Sequence, residues 1–369
     1  MPDPGALVRG IDAIRAADRP TVGGKAASLG ELTSVGAPVP AGCVVTTAAF
    51  ARAITAVDPD EALRDQLEDP DADGAAVTGA ATELRDRLTA VEVPTELRDA
   101  IAAGYAAIDE VGHAPVAVRS SATSEDSADA SFAGLQDTYL CIRGGDAVVE
   151  HVRRCWASLY SAESVAYRRR LALPEEGLAM AVVIQRMVDA RVSGVMFTCS
   201  PVSGDRSVVS IEASWGLGSA MVSGIVTPDA WLVNKITGDI VSREVADKGV
   251  RHDRDDDGGV VEREVPADER SCPCLDDDRV RDLVAVARDV ERHYGTPQDI
   301  EWAMPDVDGD PGPIRVLQSR PETVWSTRRR PPAAAPKARV FDHVLDLMAR
   351  GDRSRPDGGG PAMGSGDGT

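Results

Sequence analysis

Between Val116 and Leu140 the chain reads VAVRSSATSEDSADASFAGLQDTYL, and the residue types there suit one chemistry. An apolar, strand-like run (Val116, Ala117, Val118) delivers Arg119 into a loop of small hydroxylated residues: Ser120, Ser121, Thr123, Ser124, Ser127 and Ser131. Gly134 lets backbone come close to a ligand. A permanently charged guanidinium followed by many small donors is what a polyphosphate needs, because Arg binds it bidentately and the hydroxyls do not crowd it. A solvated Ser-rich linker has the same composition. It would not place Phe132, Leu135, Tyr139 and Leu140 directly behind the hydroxyls, so the ligand loop is favoured.

Two further pieces point the same way. In Asp299-Ile300-Glu301-Trp302-Ala303 the period of a strand sends Asp299 and Glu301 to one face and Ile300 and Trp302 to the other. Ile314 to Arg320 reads as a second strand, joined to the first through the Asp306–Gly312 turn region, with Ile314, Val316, Gln318 and Arg320 on one face. An in-register hairpin makes Glu301 and Gln318 neighbours, with Arg320 beside them. Two oxygen ligands and a cation suit Mg²⁺ on nucleotide phosphates, since this hard ion takes few protein oxygens. An ordinary polar face with a surface ion pair would look the same from this segment alone. Val22-Gly23-Gly24-Lys25-Ala26 places two glycines at a helix start, with Lys25 as a point charge for phosphate. It lacks the spacing of a Walker A loop.

The elements that must position these residues follow from pattern. A short helix is expected over about 26–35, a strand in VPAGCVVTT, and a second helix starting near Thr47, which can cap it. Residues 59–112 are helical, acidic and Ala-rich, with a turn at 70–74. Val148, Val152, Trp156, Leu159 and Tyr160 recur at helical spacing and read as core. Residues 179–245 are strand-rich, interrupted at 214–228 by a Gly- and Ser-containing segment. Asp276 to Tyr294 is a helix with a carboxylate-rich first turn and Gly295 as its stop. After Trp325 an Arg/Pro/Ala/Gly-rich linker and tail, 328–369, is expected to be mostly disordered apart from a helix over Phe341 to Met348.

Bulk properties bound the function. The 369 residues carry 60 acidic and 40 basic side chains, a net charge of −20, and lysine appears only at 25, 235, 248 and 337. Such a surface disfavours nucleic acid and anionic membranes. Excess Asp with scarce Lys suits a saline cytoplasm, and a GC-rich genome would independently replace Lys by Arg. Six scattered cysteines show no disulfide framework, and Cys272-Pro-Cys274 lacks a second ligand pair for zinc. With no leader-like or membrane-length apolar run, a soluble cytoplasmic protein is expected.

In this order DRPTVGGKAASLGEL, VPAGCVVTTAAF, VAVRSSATSEDSADASFAGLQDTYL, VIQRMV, SGVMFTCSP, WGLG, VTPD, HYGTPQDIEWA and VLQSRPETVW resemble the N-terminal ATP-binding domain of the phosphoenolpyruvate synthase and pyruvate phosphate dikinase family. Rifampicin phosphotransferases carry related domains. The resemblance covers about 18–325. It implies an α+β, ATP-grasp-like, multi-lobed domain over 1–327, with Mg²⁺ and ATP held in a cleft between lobes.

By that resemblance Lys25 and Arg119 contact phosphate, and Gly134 and Thr138 belong to the loop covering it. Gln185 contacts the base, and Glu301 and Gln318 ligate metal and nucleotide. Arg320 lies beside the transferred phosphate, and Asp299 shares the motif. Arg119, Arg320 and Lys25 would stabilise the transferring group. Family members relay phosphate through a histidine in a Gly-Gly-x-x-Ser-His-type sequence. Here His113, His151, His252, His293 and His343 are not in such a context. His293 is read as covering the end of its helix, the others as helix and loop positions. The expectation is an ATP-binding half whose phosphate acceptor is a histidine on a separate carrier and pyruvate-binding protein. Rifampicin-type transfer and a non-catalytic nucleotide-binding remnant are the other readings.

Overall fold

The computed structural model describes residues 6–108, 114–123, 137–175, 177–255 and 258–325. Ser124, Ser127, Ser131, Phe132, Gly134, Leu135, His113, His343, part of the 59–112 helical stretch and the 328–369 tail therefore lie outside the described residues.

One sheet has strands β1 (Val8–Gly10), β2 (Gly42–Val45), β3 (Val116–Ala122), β4 (Thr138–Ile142) and β5 (Met180–Arg186). Their spatial order is β1-β2-β5-β3-β4, antiparallel throughout. The central strand β5 is apolar at consecutive positions because both of its faces are covered. Met180, Val182 and Ile184 pack into a core shared with helices α2 (Thr47–Val57), α4 (Gly74–Ala90), α5 (Thr95–Ile108) and α6 (Gly145–Ser158). Ala181 and Val183 face Val22, Ala26 and Leu29 of α1 (Arg19–Ser34). Helices α3 (Ala62–Glu68) and α7 (Ala162–Arg170) complete this lobe.

The second sheet holds β6 (Ala190–Phe197), β7 (Val208–Trp215), β8 (Asp229–Asn234), β9 (Ile240–Glu244), β12 (Gln298–Val307), β13 (Asp310–Pro311) and β14 (Arg315–Pro321). Strand β12 runs between β6 and β14. One face packs on α9 (Asp277–Tyr294) through Val280, Leu283, Val284, Ala287 and Val290. Asp276 caps α9 by accepting from Arg279 N at 2.7 Å, and Gly295 ends it at φ +70°, as its sequence requires. A one-turn helix α8 (Ser219–Val222) interrupts the strands, and β10 (Val250–Arg254) pairs with β11 (Val260–Glu264) as a separate ribbon. No helix among the described residues is long and apolar enough to cross a membrane.

Several expectations change at this level. Val148, Val152, Trp156, Leu159 and Tyr160 are all core, but only the first three lie on α6, while Leu159 and Tyr160 form the turn that leads to α7. Helix α6 ends at Ser158, and Ser161 caps α7 by accepting from Ser164 N at 3.1 Å. Helix α2 begins near Thr47 as expected, yet its N-cap position is Thr46 and neither hydroxyl caps it. Thr46 Oγ1 donates to Ala6 O and Thr47 Oγ1 to Pro20 O. At 70–74 the turn ends in a true cap, Asp73 accepting from Ala76 N at 2.6 Å.

The helix carrying the double glycine buckles at Gly23, whose φ of +76° and ψ of 172° split α1 into two pieces. A Cβ at Gly23 would lie 2.0 Å from the carbonyl oxygen of Ser121, so only glycine permits this approach to β3.

Candidate functional site

Strand β3 does not end at Arg119. It continues through Ser120, Ser121 and Ala122, paired with Val182, Ala181 and Met180 of β5. Ser120 and Ser121 are buried, and their hydroxyls donate to Asp137 O at 3.2 Å and Val22 O at 2.9 Å. They are therefore not loop donors for a ligand: they bolt β3 to β4 and to the Gly23 buckle. Thr123 Oγ1 likewise donates to Ala179 O at 3.2 Å.

Lys25 lies in the same seam, buried, with Nζ donating to the Ser120 carbonyl at 2.7 Å. It sits behind β3 and is not among the residues lining the cavity described below.

Arg119 faces the opposite way, toward the second sheet. Its Nη1 donates to Leu317 O at 3.0 Å, and its Nη2 donates to Gln318 Oε1 at 2.7 Å and Glu301 Oε2 at 3.1 Å. Strand parity delivers the two acceptors. Glu301 stands opposite Gln318 in the β12–β14 register, and Asp299 stands opposite Arg320. Arg320 Nε lies 3.4 Å from Asp299 Oδ2. A bulge between Glu301 and Trp302 leaves Glu301 half exposed, at 45%, while Trp302 goes into the core. The hairpin and its carboxylate–amide pair are as the sequence implied, with Arg119 as an unforeseen third member, but Val316 does not share the face of Gln318: the bulge sets it opposite Trp302 in the core.

Beside this cluster a cavity of about 350 Å³ opens between the two sheets, a volume suited to a nucleotide-sized ligand. Arg119, Thr138, Gln185 and Glu301 line it; Gln318 touches it only through Arg119, and Asp299 and Arg320 are not among its lining residues. Thr138 stands opposite Arg119 on β4. Gln185, 2% exposed, carries a buried Nε2 without a hydrogen-bond partner, a donor held at the cavity wall. Met187, Val188, Trp302 and Leu317 give apolar walls, and Leu217, Gly218 and Ser219 form the side made by the WGLGS segment. Sequence reasoning missed that last wall. Its signals were the glycine spacing, weak without a partner strand, and the WGLG motif of the resemblance, to which no ligand contact was attached.

Among the described residues His151, His293 and the cysteines serve structure. His151 Nδ1 lies 2.7 Å from Ala147 O and its ring packs edge-on to Tyr139. His293 does not cover the end of its helix. Its Nε2 lies 3.0 Å from Glu31 on α1, because the last turn of α9 packs against that helix. His252 is on strand β10 rather than in a helix or loop. All six cysteines are free, and only Cys272 is exposed. Burial pushes the Cys43 thiol up to about 12, so that sulfur is inert. Among the described residues no group of three or more His, Cys, Asp or Glu could hold a metal.

The likeness to known proteins identifies the family. Residues 19–339 match the family described as pyruvate phosphate dikinase, AMP/ATP-binding domain. The chain is 43% identical over 305 residues to a "Probable phosphoenolpyruvate synthase" of Methanothermobacter thermautotrophicus, covering 82% of this chain and 44% of that protein. It is 43% identical over 323 residues to a rifampicin phosphotransferase of a Streptomyces species, covering 86% and 36%. Against the phosphoenolpyruvate synthase of Aeropyrum pernix it is 36% identical over 379 residues, covering 95% and 46%. The chain thus spans less than half the length of these curated relatives. An α+β fold with a nucleotide-sized cleft between two sheets, and a family match over most of its length, establish that the chain belongs to the AMP/ATP-binding domain family of pyruvate phosphate dikinase.

Proposed function

We propose that this chain is the nucleotide-handling part of a phosphoenolpyruvate synthase-type dikinase, moving a phosphoryl group from ATP to a carrier histidine outside this sequence, with pyruvate as the final acceptor. The observation that carries the reading is Arg119 reaching from one sheet to Glu301 and Gln318 of the other at the rim of the cavity. A guanidinium that already holds a carboxylate is shaped to hold a phosphate, which presents the same pair of oxygens.

Each residue has a task in this reading. Gln185 supplies a buried amide for the base edge, and Thr138 together with Gly134 covers the phosphates. Leu317 fixes the Arg119 guanidinium through Nη1, and the Nη2 edge, shared with Gln318 and Glu301, is the one turned to the transferring group. Lys25, behind β3, adds positive potential from outside the cavity lining, as does Arg320 to the extent that Asp299 leaves its charge uncompensated. Glu301 and Gln318 would hold Mg²⁺, and their side-chain oxygens fit it because both converge on one point, now shared by the Arg119 Nη2. When bound, the ion neutralises charge on the phosphate oxygens. In the transfer a P–O bond to the nucleotide leaving group breaks, its electron pair staying on the departing oxygen, while a P–N bond forms to the imidazole. The chain supplies positioning and charge, and no nucleophile of its own. We also place the protein in the cytoplasm and read its charge as an adaptation to salt.

The test uses the full chain, labelled Mg·ATP and a separately expressed phosphocarrier domain from the same cell. Label should appear on the partner as an acid-labile, base-stable phosphohistidine, and Arg119→Ala should abolish it. Label on this chain itself would overturn the two-component scheme, and no label on any carrier would leave a nucleotide-binding remnant. Identity to rifampicin phosphotransferase equals that to the archaeal synthase, so a second reading is antibiotic phosphorylation. A carrier that passes its phosphate to rifampicin and not to pyruvate would select it.

A further inference from the structure

His252 plays no part in the scheme above, yet it reaches the cavity through a neighbour. The WGLGS segment that follows β7 folds against β10. Gly216 bridges to His252, and Leu217 N donates to His252 O at 2.7 Å. This docking brings Ser219 Oγ within 2.8 Å of His252 Nδ1, while Ser219 itself lines the cavity. On the other side of the ring, His252 Nε2 lies 4.0 Å from Glu262 Oε2 of β11.

The order of groups favours one direction for the hydrogen bond. A carboxylate near Nε2 favours the tautomer with its proton there, which leaves Nδ1 an acceptor. Ser219 then donates its hydroxyl proton to Nδ1 and turns its oxygen lone pairs to the cavity. Ser219 is thereby an acceptor, and a hydroxyl of the ligand is the complementary donor.

Position says which hydroxyl. Gly218 rests against Ser193, whose Oγ would lie 3.6 Å from a Cβ at Gly218. Ser193 stands opposite Ala303 on β12, two residues along and one strand across from Glu301. Strand geometry makes that offset about 8 Å. Ser219, next to Gly218, is set off from the phosphate cluster on the Ser193 side, a position that suits the sugar, with Gln185 on the other sheet suited to the base.

We propose that Ser219, aimed by His252, accepts a hydrogen bond from a ribose hydroxyl of the nucleotide and sets the preference for ribo- over deoxyribonucleotides. His252 is a positioning residue: it touches no ligand and acts through the serine. The proposal rests on the nucleotide reading of the cavity.

The experiment titrates the full chain calorimetrically with Mg·ATP, its 2′-deoxy and 3′-deoxy analogues, and inosine triphosphate. One deoxy analogue should bind roughly three- to tenfold more weakly than ATP, the value of one neutral hydrogen bond. Ser219→Ala and His252→Ala should weaken ATP to the level of that analogue and abolish the discrimination. His252→Asn, whose side-chain oxygen can stand near the Nδ1 position, should restore it, which a merely structural role for the ring would not predict. Equal binding of ATP and both deoxy analogues by the wild type would overturn the proposal. So would discrimination that survives Ser219→Ala, or a loss confined to inosine triphosphate, which would put the contact on the base. A wild-type chain that binds no adenine nucleotide at all would instead overturn the reading beneath it.

Discussion

Two ion pairs are anchored on the second sheet, and they differ in everything but chemistry. Lys248 Nζ lies 2.6 Å from Asp229 Oδ1, and both side chains are wholly sequestered. The Asp229 oxygens are saturated: Oδ1 also accepts from Ala246 N at 2.9 Å, and Oδ2 accepts from Cys274 N at 2.9 Å. Arg119 and Glu301 lie 3.1 Å apart, but their pair crosses between sheets, Glu301 is half exposed, and the cavity lies beside them. The first pair ties a strand, a loop and the approach to α9 together, and no ligand has a way in. The second is shielded enough to be oriented and open enough to be exchanged. Two rare charges in a buried setting can thus be support or site, and saturation of the acceptor together with solvent access separates them.

Removing one member of each pair should break this comparison or sharpen it. The largest effect is expected at the sequestered pair. Asp229→Ala leaves the Lys248 ammonium and two backbone N–H groups without their acceptor and should cost about 3–5 kcal/mol of stability. Chemical denaturation measures that, and an unchanged midpoint would show the pair to be dispensable. The folded fraction should still bind Mg·ATP normally.

Glu301→Ala should do the reverse, leaving the midpoint nearly unmoved while weakening Mg·ATP by roughly one to two decades, the value of about 1.5–3 kcal/mol for a charge-assisted ligand. Equal affinities in a calorimetric titration would remove Glu301 from the metal site. The smallest effect concerns salt. With a net charge of −20, thermal unfolding should shift upward from dilute to molar potassium chloride as self-repulsion is screened. Because a sequestered pair is screened little, the same upward shift should remain in Asp229→Ala. A wild-type melting temperature indifferent to salt would leave base composition as the explanation for scarce lysine.

The legible part of the site was its periodic part. Alternation in Asp299-Ile300-Glu301-Trp302 forces the carboxylates and the apolar residues to opposite faces, so the pairing of Glu301 with Gln318 followed from the turn between their strands. Ser120 and Ser121 carried no such alternation. A run of small polar residues reads as a loop, and only pairing with β5 shows that the strand continues through it. The contact of Arg119 with Glu301 spans 182 positions of sequence, and that of His293 with Glu31 spans 262. Nothing local encodes either, since both depend on how separate elements pack. The break between α6 and α7 had a local signal in Ser161, which the continuous apolar spacing masked.

The buckled helix α1 has a mechanical consequence. Beyond the buckle, Lys25 fastens the helix to β3 through Ser120, and one turn later Ser28 fastens it to β14, donating to Ser319 O at 2.7 Å. One side of the cleft is therefore riveted by a single rod that touches both sheets, and the sheets cannot part there without tearing those contacts. The cavity takes in no residue of this rod and is lined by α8, where Val222 stands 84% exposed. The glycine that lets the rod bend thus also lets one element hold both sheets.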